Sequence, residues 1–389
     1  MNLEPIRLLI PPWGRAFSSF FDRLYYVTGD TRLPIISEAV VGSREFMSQY
    51  LDRARSCVAG VPEEVRVAIG IYPDPKHSGK YRGGFSELTV EVEGIPVVIK
   101  GAPSEERVLA VKSQKADAAL AGLDEVLAVA SDEMSTETEV TQWGAFNYNV
   151  CEDFPLRIAG SANLSTPQGF LDIVGVFLIT GKHDRYEHID ALARRGVPFL
   201  VKRGYEQALR CAFGKSKPFS LQFEPVRSAD TVVRQKPGRY GLEVVQTGKT
   251  LVPSDSLVEN PLMAIGWLMN SETLYAVNRG PYLERGEIRG ILEKLGMLEY
   301  FEFARVRRFA DWYASLYRTL GDSWVERPSP SQIFFGRANQ LTSVGLWPAR
   351  DVQDAIEPDV PYSGGYTRFV FGECEDILHR SSGLGRKAS

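Results

Sequence analysis

Cysteine and histidine are both scarce in this chain of 389 residues, which contains four of each. The cysteines are widely scattered and form no CxxC pair, so neither a zinc site nor a disulfide framework is indicated. We interpret them as buried thiols of a reducing compartment; they are Cys57, Cys151, Cys211 and Cys374. The histidines are unpaired, because even His183 and His188 are five residues apart rather than four. We expect His77, His183 and His188 to be surface residues.

The sequence also lacks long hydrophobic runs and a strong net charge. No stretch approaches the roughly 20 apolar residues of a membrane-spanning helix, and the apolar run near the start is too short for a signal peptide. The net charge of −4 provides no general basic field for a nucleic acid. With 44% hydrophobic and 24% charged residues, the composition is that of a globular protein with two or three domains. We expect a cytoplasmic protein without a nucleic-acid or membrane partner.

What the chain does contain is an alternation of short β-type runs with longer helical segments. This pattern predicts an α/β fold. The clearest predicted strands are Ile6–Ile10, Val65–Ile71, Ile173–Ile179, Val197–Val201, Phe219–Phe223 and Gly241–Val245, with a hairpin over Leu88–Ile99 and a short strand at Ala118–Leu120. Helices are predicted over Ser104–Gln114, Arg185–Arg195 and Tyr205–Phe213, and a polar loop over Tyr72–Gly84.

The character of the sequence changes after about Pro261. Two amphipathic helices are predicted there, over Glu284–Leu298 and Tyr300–Leu320, and the second is rich in aromatic residues. We expect those aromatic side chains to make packing or oligomer contacts rather than to bind a ligand. The final segment, 381–389, is predicted to be disordered.

One stretch, EVVQTGKTL from Glu243 to Leu251, contains the Gly-Lys-Thr that ends a nucleotide-binding P-loop. A P-loop also needs a glycine five residues before that Gly-Lys pair, and this chain has Glu243 there. A carboxylate would repel a polyphosphate, so the P-loop interpretation fails. The short turn is still suited to cradling one phosphate with backbone N–H groups, while the acid binds neutral hydroxyls nearby. A phosphorylated sugar offers both groups.

The segment from Ser228-Ala229-Asp230 to this turn resembles the ATP phosphoribosyltransferases of histidine biosynthesis. The interval of twelve residues between Asp230 and Glu243 matches that family without a gap. Three further segments are similar to family segments and occur in the family's order: IRLLIPPWGR (6–15), ADAALAGLDEVL (116–127) and FLVKRGY (199–205). The resemblance covers roughly residues 1–280 and leaves the last hundred residues unexplained.

The resemblance implies a two-lobed fold like that of the type II periplasmic binding proteins, with an added helical C-terminal region. On this basis we predict a first lobe over 1–180, a second lobe over 181–262 that carries the phosphate turn, and a return to the first lobe with a helical extension over 263–380. It further implies that phosphoribosyl pyrophosphate binds with Mg²⁺, that a nitrogen heterocycle accepts the sugar, and that the protein is a homo-oligomer.

The resemblance also implies roles for individual residues. Thr247, Gly248, Lys249 and Thr250 would hold the 5′-phosphate at a helix start, and Glu243 would accept hydrogen bonds from the ribose hydroxyls. Asp230 would stand near the reacting carbon. Arg15 would meet the pyrophosphate, and Lys202 matches a lysine at the entrance of the second lobe. No protein ligand of the metal is predicted, because the substrate's own oxygens would bind it.

Several departures from the family pattern concern the acceptor. The two acids are exchanged, Glu for Asp at 243 and Asp for Glu at 230, and Arg239 replaces a third acid. The family's arginine near Lys100-Gly101-Ala102-Pro103 has no counterpart. A triphosphate acceptor needs such cations, so we expect an acceptor other than ATP.

Alternatives remain for each of these interpretations. The turn is also typical of a plain strand-to-helix connection, Asp230 of a helix N-cap, and Arg15 and Lys202 of solvated surface residues. The whole protein is alternatively a non-catalytic binding or regulatory module with the same two-lobed fold, or an ordinary ATP phosphoribosyltransferase.

Overall fold

The structure is a computed structural model that describes residues 4–43, 58, 60–73, 79–132, 155–165, 172–202, 206, 222–226, 228–249, 251–252, 260–297 and 303–325. Several predictions fall outside these ranges. They concern the four cysteine thiols, His77, Thr250, nearly all of the helix predicted at 205–213, and the tail at 381–389.

The strands are β1 (Ile6–Ile10), β2 (Ile69–Pro73), β3 (Tyr81–Phe85), β4 (Glu87–Val92), β5 (Ile95–Gly101), β6 (Ala118–Gly122), β7 (Leu156–Ser161), β8 (Ile173–Gly181), β9 (Phe199–Lys202), β10 (Phe223–Val226), β11 (Gly241–Val245) and β12 (Leu262–Asn278). The helices are α1 (Arg15–Thr28), α2 (Arg32–Gly42), α3 (Glu63–Arg66), α4 (Ser104–Lys112), α5 (Leu123–Asp132), α6 (Ile189–Arg194), α7 (Ala229–Gln235), α8 (Arg279–Glu284), α9 (Gly286–Lys294) and α10 (Phe303–Leu320). A 3₁₀ turn, Gly321–Ser323, follows α10.

Contacts divide the chain into two compact units, each assembled from separate segments. Unit 1 comprises Met1–Gly122, Phe154–Asp172 and Thr273–Glu299, and unit 2 comprises Leu123–Asp153, Ile173–Glu272 and Tyr300–Ser389. The first strand of unit 2 is β8, and β12 begins in unit 2 and ends in unit 1.

The sheet of unit 1 has the strand order β4-β5-β1-β6-β12-β7. Its centre is β1, which runs parallel to both β5 and β6. Parallel strands of this kind are covered on both faces, and the sequence of β1, IRLLI, is accordingly almost entirely apolar and mostly buried. At the edge, β4 alternates exposed and buried residues along ELTVEV, as expected of a strand with one solvated face.

An aromatic cluster forms the centre of the unit 1 core between the sheet and α1. Phe17, Phe20 and Phe21 on α1 are buried, and the Phe21 ring meets the Phe85 ring of β3 edge-on, with centroids 4.9 Å apart. The helix ends at Gly29, whose left-handed backbone allows its N–H to donate to the Tyr25 carbonyl at 2.8 Å.

The sheet of unit 2 has the strand order β10-β9-β11-β8-β12. In this sheet, β9 runs parallel to β10 and β11, whereas β8 is antiparallel to both of its neighbours. Apart from the edge strand β4, the two sheets share one arrangement: the row β5-β1-β6-β12-β7 of unit 1 corresponds to the row β10-β9-β11-β8-β12 of unit 2. In each row the first three strands are parallel, and the fourth strand is antiparallel to both of its neighbours. The predicted two-lobed α/β fold class is therefore confirmed by the repeated topology of the two units.

Two predictions made from the sequence differ from the structure in unit 1. The strand predicted at Val65–Ile71 is a short helix, α3, followed by β2; Pro62 precedes this helix and two acids occupy its first turn, both of which favour a helix start. The loop predicted at Tyr72–Gly84 contains the strand β3. Its glycines do not mark a loop, because a Cβ on Gly84 would stand 2.7 Å from the Trp13 ring.

The C-terminal prediction is confirmed in outline. The segment predicted as one helix at Glu284–Leu298 contains α9 and, before the interruption at Arg285, only the last residue of α8; the following predicted helix is α10. Within the described ranges, no helix has the length and apolar character needed to span a membrane.

Candidate functional site

Most of the predicted site residues lie where the parallel strands of unit 2 end. Strand β9 ends at Lys202, and β11 ends at Val245, directly before a turn over residues 246–249. In open α/β sheets, ligands bind beyond the carboxyl ends of the strands, where side chains and free backbone groups from several strands meet. A ligand site is therefore expected at this edge of unit 2.

Lys202 and Glu243 lie level with each other on neighbouring strands. Gly241 on β11 pairs with Leu200 on β9 in parallel, and two residues further along each strand stand Glu243 and Lys202. Because side chains alternate with a period of two, both project from the same face of the sheet. Lys202 is exposed and Glu243 is half-buried. The fold thus places a cation at the end of β9 and an acid two residues before the end of β11, on the same face of neighbouring strands.

Helix α7 packs on the same face of the sheet. A Cβ on Gly241 would stand 3.2 Å from the Ala229 Cβ and 3.0 Å from the Val233 Cγ2, both on α7. Gly241 therefore lets the helix approach the sheet closely, whereas Glu243, the next residue on this face, carries a full side chain. Glu243 lies between the part of β11 that α7 covers and the turn.

Asp230 is the second residue of α7 and not its N-cap. The N-cap is Ser228, whose hydroxyl donates to the Asp230 carboxylate and lies 2.8 Å from the Thr231 hydroxyl. The alternative interpretation of Asp230 as the capping residue is therefore wrong. A carboxylate in the first turn is stabilised by the helix dipole, and Asp230 is half-buried at the start of the helix.

Asp230 also acts on Arg234, one turn further along α7. Burial lowers the pKa of the Arg234 guanidinium, and the charge of Asp230 opposes that effect. The Arg234 Nη1 donates to the Asn260 carbonyl at 3.0 Å, and the Asn260 amide donates back to the Arg234 carbonyl at 3.1 Å. The helix is thereby fixed to the chain segment that leads into β12.

The turn after β11 has a buried glycine between two exposed side chains, Thr247 and Lys249. Gly248 has φ +80°, a left-handed conformation that glycine adopts without strain. Its carbonyl accepts hydrogen bonds from the N–H groups of Leu251 and Val252, both at 3.0 Å. This is one closed turn; a continuation into a helix would fall on residues 253–259, outside the described ranges.

A hydrogen bond from α10 fixes the orientation of the peptide that opens this turn. The indole Nε1 of Trp312 donates to the Gln246 carbonyl at 3.0 Å. In a planar trans peptide the N–H points opposite to the carbonyl, so the Thr247 N–H is directed away from α10. By the same geometry the Lys249 N–H is directed away from Leu251 and Val252.

The aromatic residues of the C-terminal segment pack against unit 2, as the sequence predicted. Trp312 and Tyr313 are buried, and the Tyr313 ring lies 5.5 Å from that of Trp324. Trp324 in turn meets the Phe177 ring edge-on at 5.2 Å. Because Phe177 pairs directly with Glu243 across β8 and β11, these rings pack on the sheet face that carries Glu243.

Arg15 lies in unit 1, whereas the other predicted site residues lie in unit 2. It is the first residue of α1, follows the left-handed Gly14, and is exposed. Its location at the carboxyl end of β1 corresponds, within unit 1, to that of the turn within unit 2. Exposure of Arg15 agrees with both interpretations made from the sequence, a solvated residue and an anion ligand.

Sequence reasoning overlooked a cation–aromatic cluster beside Arg15. The guanidinium carbon of the buried Arg82 lies 4.9 Å from the centroid of the Trp13 ring, and Tyr72 meets that ring edge-on at 5.5 Å. Burial raises the pKa of the Tyr72 hydroxyl, which donates to the Phe85 carbonyl at 3.0 Å. The arginine in the strand YRGGF was the sequence signal of this cluster, but the two glycines that follow it favoured the prediction of a loop.

Two departures from the family pattern acquire structural meaning. Arg239 precedes the first residue of β11, at the end of the strand opposite to the turn, and pairs with Glu224. It is therefore not evidence about the acceptor. Near the position of the missing arginine, Arg107 on α4 is buried and donates from Nη1 to the Ala102 carbonyl at 2.9 Å.

Histidine and acidic side chains do not converge on a metal site in the described part of the chain, where no group of three or more His, Cys, Asp or Glu is suited to hold an ion. His183 and His188 are exposed, as predicted.

No protein-family model matches the sequence, and no curated protein sequence matches it. Among solved structures, the chain is similar to the ATP phosphoribosyl transferase (HisG:HisZ) complex from Thermotoga maritima, with a TM-score of 0.39, 13% identity, and coverage of 75% of this chain and 96% of that one.

It is also similar to an arginine transport periplasmic binding protein from Legionella pneumophila, with a TM-score of 0.33, 12% identity, and coverage of 56% of this chain and 81% of that one. A Candida albicans protein with the generic periplasmic binding protein fold gives a TM-score of 0.33 at 8% identity, covering 99% of this chain and 92% of that one. Structural similarity as weak as this carries no information about activity.

Proposed function

We propose that the protein is a phosphoribosyltransferase that moves the phosphoribosyl group of phosphoribosyl pyrophosphate to a ring nitrogen of a heterocycle other than ATP. The observation that carries this proposal is the arrangement at the carboxyl edge of unit 2. A half-buried acid, Glu243, lies on the strand next to that of Lys202 and three residues before a turn. In that turn the Thr247 N–H points away from α10, and the Lys249 N–H points away from Leu251 and Val252.

The donor's 5′-phosphate binds at the turn. Phosphate oxygens accept hydrogen bonds from backbone N–H groups of this kind, and the exposed Thr247 hydroxyl and Lys249 ammonium supply a donor and a charge. Thr250 completes the set in this proposal. Glu243 accepts hydrogen bonds from the ribose hydroxyls, and Lys202 supplies a positive charge on the neighbouring strand.

In the reaction, the bond between the anomeric carbon and the pyrophosphate oxygen breaks and a bond to the acceptor nitrogen forms. The electron pair of the broken bond leaves with pyrophosphate, and the acceptor nitrogen supplies the new pair. Positive charge develops on the sugar ring, and the carboxylates of Asp230 and Glu243 stabilise it electrostatically. Arg15 is proposed as an oxyanion ligand within unit 1, because its planar fork of donors suits oxyanions. Bound Mg²⁺ would neutralise charge on the pyrophosphate.

The acceptor is proposed to differ from ATP because the unit 1 residues near 100–103 offer no exposed arginine for a triphosphate. Arg107, the described arginine nearest to them, is buried and donates to a backbone carbonyl. A neutral ring has no need of such a cation, whereas three phosphates do.

The test is the release of pyrophosphate from phosphoribosyl pyrophosphate with Mg²⁺, measured against a panel of nucleotides and uncharged nitrogen heterocycles, with ribosylated products identified by mass. We expect turnover with an uncharged heterocycle. Efficient formation of phosphoribosyl-ATP would instead identify an ordinary ATP phosphoribosyltransferase. Tight binding of the donor without product from any acceptor would support the binding-module alternative, and absence of donor binding at millimolar concentration would contradict both.

A further inference from the structure

The C-terminal helix α10 contacts the turn at two points, and both contacts involve the turn's backbone. Trp312, with only 2% of its surface exposed, donates its indole N–H to the Gln246 carbonyl at 3.0 Å. At the C-terminal end of the helix, the Leu320 Cδ2 and Thr319 Cγ2 each lie 3.0 Å from the position that a Cβ would take on Gly248.

We infer that Trp312 is a positioning residue that sets the geometry of the phosphate turn, and that α10 restricts the ligand to the opposite side of that turn. The inference rests on the proposed function, in which this turn holds the 5′-phosphate of the donor. It also assigns a role to the helix that the family resemblance leaves unexplained.

The Gln246 carbonyl belongs to a buried residue, so losing the hydrogen bond that it accepts from the indole would leave a buried polar group without that compensation. The bond therefore holds the plane of the 246–247 peptide. Because that peptide is planar, holding the carbonyl also aims the Thr247 N–H, which is one of the groups proposed to bind phosphate.

Helix α10 limits the side from which a ligand can approach the turn. Gly248 is buried against Leu320 and Thr319, so α10 occupies the space beside the turn that a side chain at 248 would enter. Both contacts of the helix fall on the turn's packed side, and the Thr247 N–H is directed away from the Trp312 contact. A phosphate is thus received on the side that α10 leaves open.

The alignment of the turn affects which end of the donor is recognised. Backbone N–H groups aimed at a fixed point favour an anion of matching size, so the alignment that Trp312 imposes acts on the phosphate end of the donor. It does not act on the pyrophosphate, which this turn does not hold in the proposed function. A change at Trp312 should therefore raise the KM for the donor and leave kcat nearly unchanged.

The experiment compares full-length wild-type protein with Trp312→Phe, which keeps an aromatic ring but removes the donor. Tyr317→Phe, which removes a polar group from another aromatic residue of α10, is the matched control. Binding of ribose 5-phosphate and of inorganic pyrophosphate is measured by calorimetry. We expect the Kd of Trp312→Phe for ribose 5-phosphate to rise about fivefold to tenfold, the effect of one hydrogen bond, while its Kd for pyrophosphate and both values for Tyr317→Phe stay unchanged.

A second measurement follows ligand binding in the wild-type chain and uses a second sample only to assign one resonance. The indole N–H resonance of Trp312, identified by its absence from Trp312→Phe or from a chain labelled at the other tryptophans, should shift when ribose 5-phosphate is added and stay fixed when only pyrophosphate is added. A purely structural tryptophan would not respond.

The outcomes separate the two claims. Wild-type protein that binds neither ribose 5-phosphate nor the donor contradicts the proposed function and the inference with it. Wild-type protein that binds both, with an indole resonance that does not move and a Trp312→Phe affinity equal to that of the control, overturns the inference and leaves the proposed function standing.

Discussion

Arg23 and Tyr275 donate hydrogen bonds to the same acceptor, the backbone carbonyl of Leu295. The Arg23 Nη1 lies 3.1 Å from that oxygen and the Tyr275 hydroxyl 3.0 Å. Both donors belong to the core of unit 1, where Tyr275 is completely buried. Burial raises the pKa of the Tyr275 hydroxyl far above its usual value although the charge of Arg23 opposes this, and burial lowers the pKa of Arg23.

The raised pKa of Tyr275 predicts a loss of stability in alkali. A group whose folded-state pKa is raised stabilises the fold fully below its unfolded pKa, and that stabilisation is lost as the pH rises above this value. The unfolded tyrosine ionises near pH 10 while the folded one stays protonated, so the free energy of unfolding should fall by about 1.4 kcal/mol per pH unit above about pH 10. Tyr275→Phe should lack this contribution. Urea unfolding of both proteins between about pH 8 and pH 11 isolates it as a difference; parallel pH profiles would contradict the prediction.

Gly101 should tolerate no side chain. A Cβ there would stand 2.0 Å from the Phe85 carbonyl oxygen, a backbone atom that moves only with β3. We expect Gly101→Ala to cost at least about 3 kcal/mol of unfolding free energy, as severe overpacking does. The control is Gly290→Ala in α9, where a Cβ meets nothing within 4 Å and alanine should stabilise the helix by about 0.5–1 kcal/mol. Thermal melting of both variants checks the pair, and a similar change in the two would show that the close approach does not constrain position 101.

Gly248 and Gly238 form a second matched pair, with φ +80° and +74°. Alanine is strained in both places, at about 1–2 kcal/mol, but only at 248 does a Cβ also meet α10. We therefore expect Gly248→Ala to be the more destabilising and to weaken binding of ribose 5-phosphate. Gly238→Ala should lose stability without losing affinity. Equal affinities in the two variants, measured by calorimetry on folded protein, would remove Gly248 from the proposed site.

Glu243 is predicted to act on binding and turnover rather than on folding. Replacing this half-buried acid by alanine removes a charged acceptor for the ribose hydroxyls, worth about 1.5–3 kcal/mol, so affinity for the donor should fall roughly tenfold to a hundredfold. Glu91→Ala, on an exposed position of β4 in unit 1, is the control and should bind normally. Unchanged donor affinity of a folded Glu243→Ala protein would show that the ribose is not bound here.

The central strands could be predicted from the sequence because each is a short apolar run with clear boundaries. The strand β1 at Ile6–Ile10 and the hairpin around Glu93-Gly94 are examples, and both hairpin residues adopt the positive φ that such a turn needs. The region from Val65 to Gly84 was mispredicted because its structure depends on contacts with residues that are distant in the sequence. Gly84 is small to accommodate the Trp13 ring, and no local pattern records that contact.

The site was predictable only in its local part. The turn at 247–249 and its preceding acid are neighbours in sequence, so their proximity follows from the motif. The approach of Lys202 to Glu243 follows from the register of β9 and β11, which a sequence does not state. The contact between Trp312 and Gln246 joins the C-terminal helix to the turn, and the family resemblance ends before that helix begins.

The strand β12 is needed by both sheets at once: Leu262–Glu272 pairs with β8, and Thr273–Asn278 pairs with β6 and β7. During synthesis, neither sheet is complete until the ribosome has passed residue 278, although most of both has already emerged. Until then, hydrogen-bonding edges of β6, β7 and β8 stay open, and exposed edges of this kind invite pairing with other chains. This strand therefore makes the two halves of the nascent protein depend on a single late event, and a chain that terminates before Leu262 should accumulate as aggregate rather than as a half-folded, active fragment.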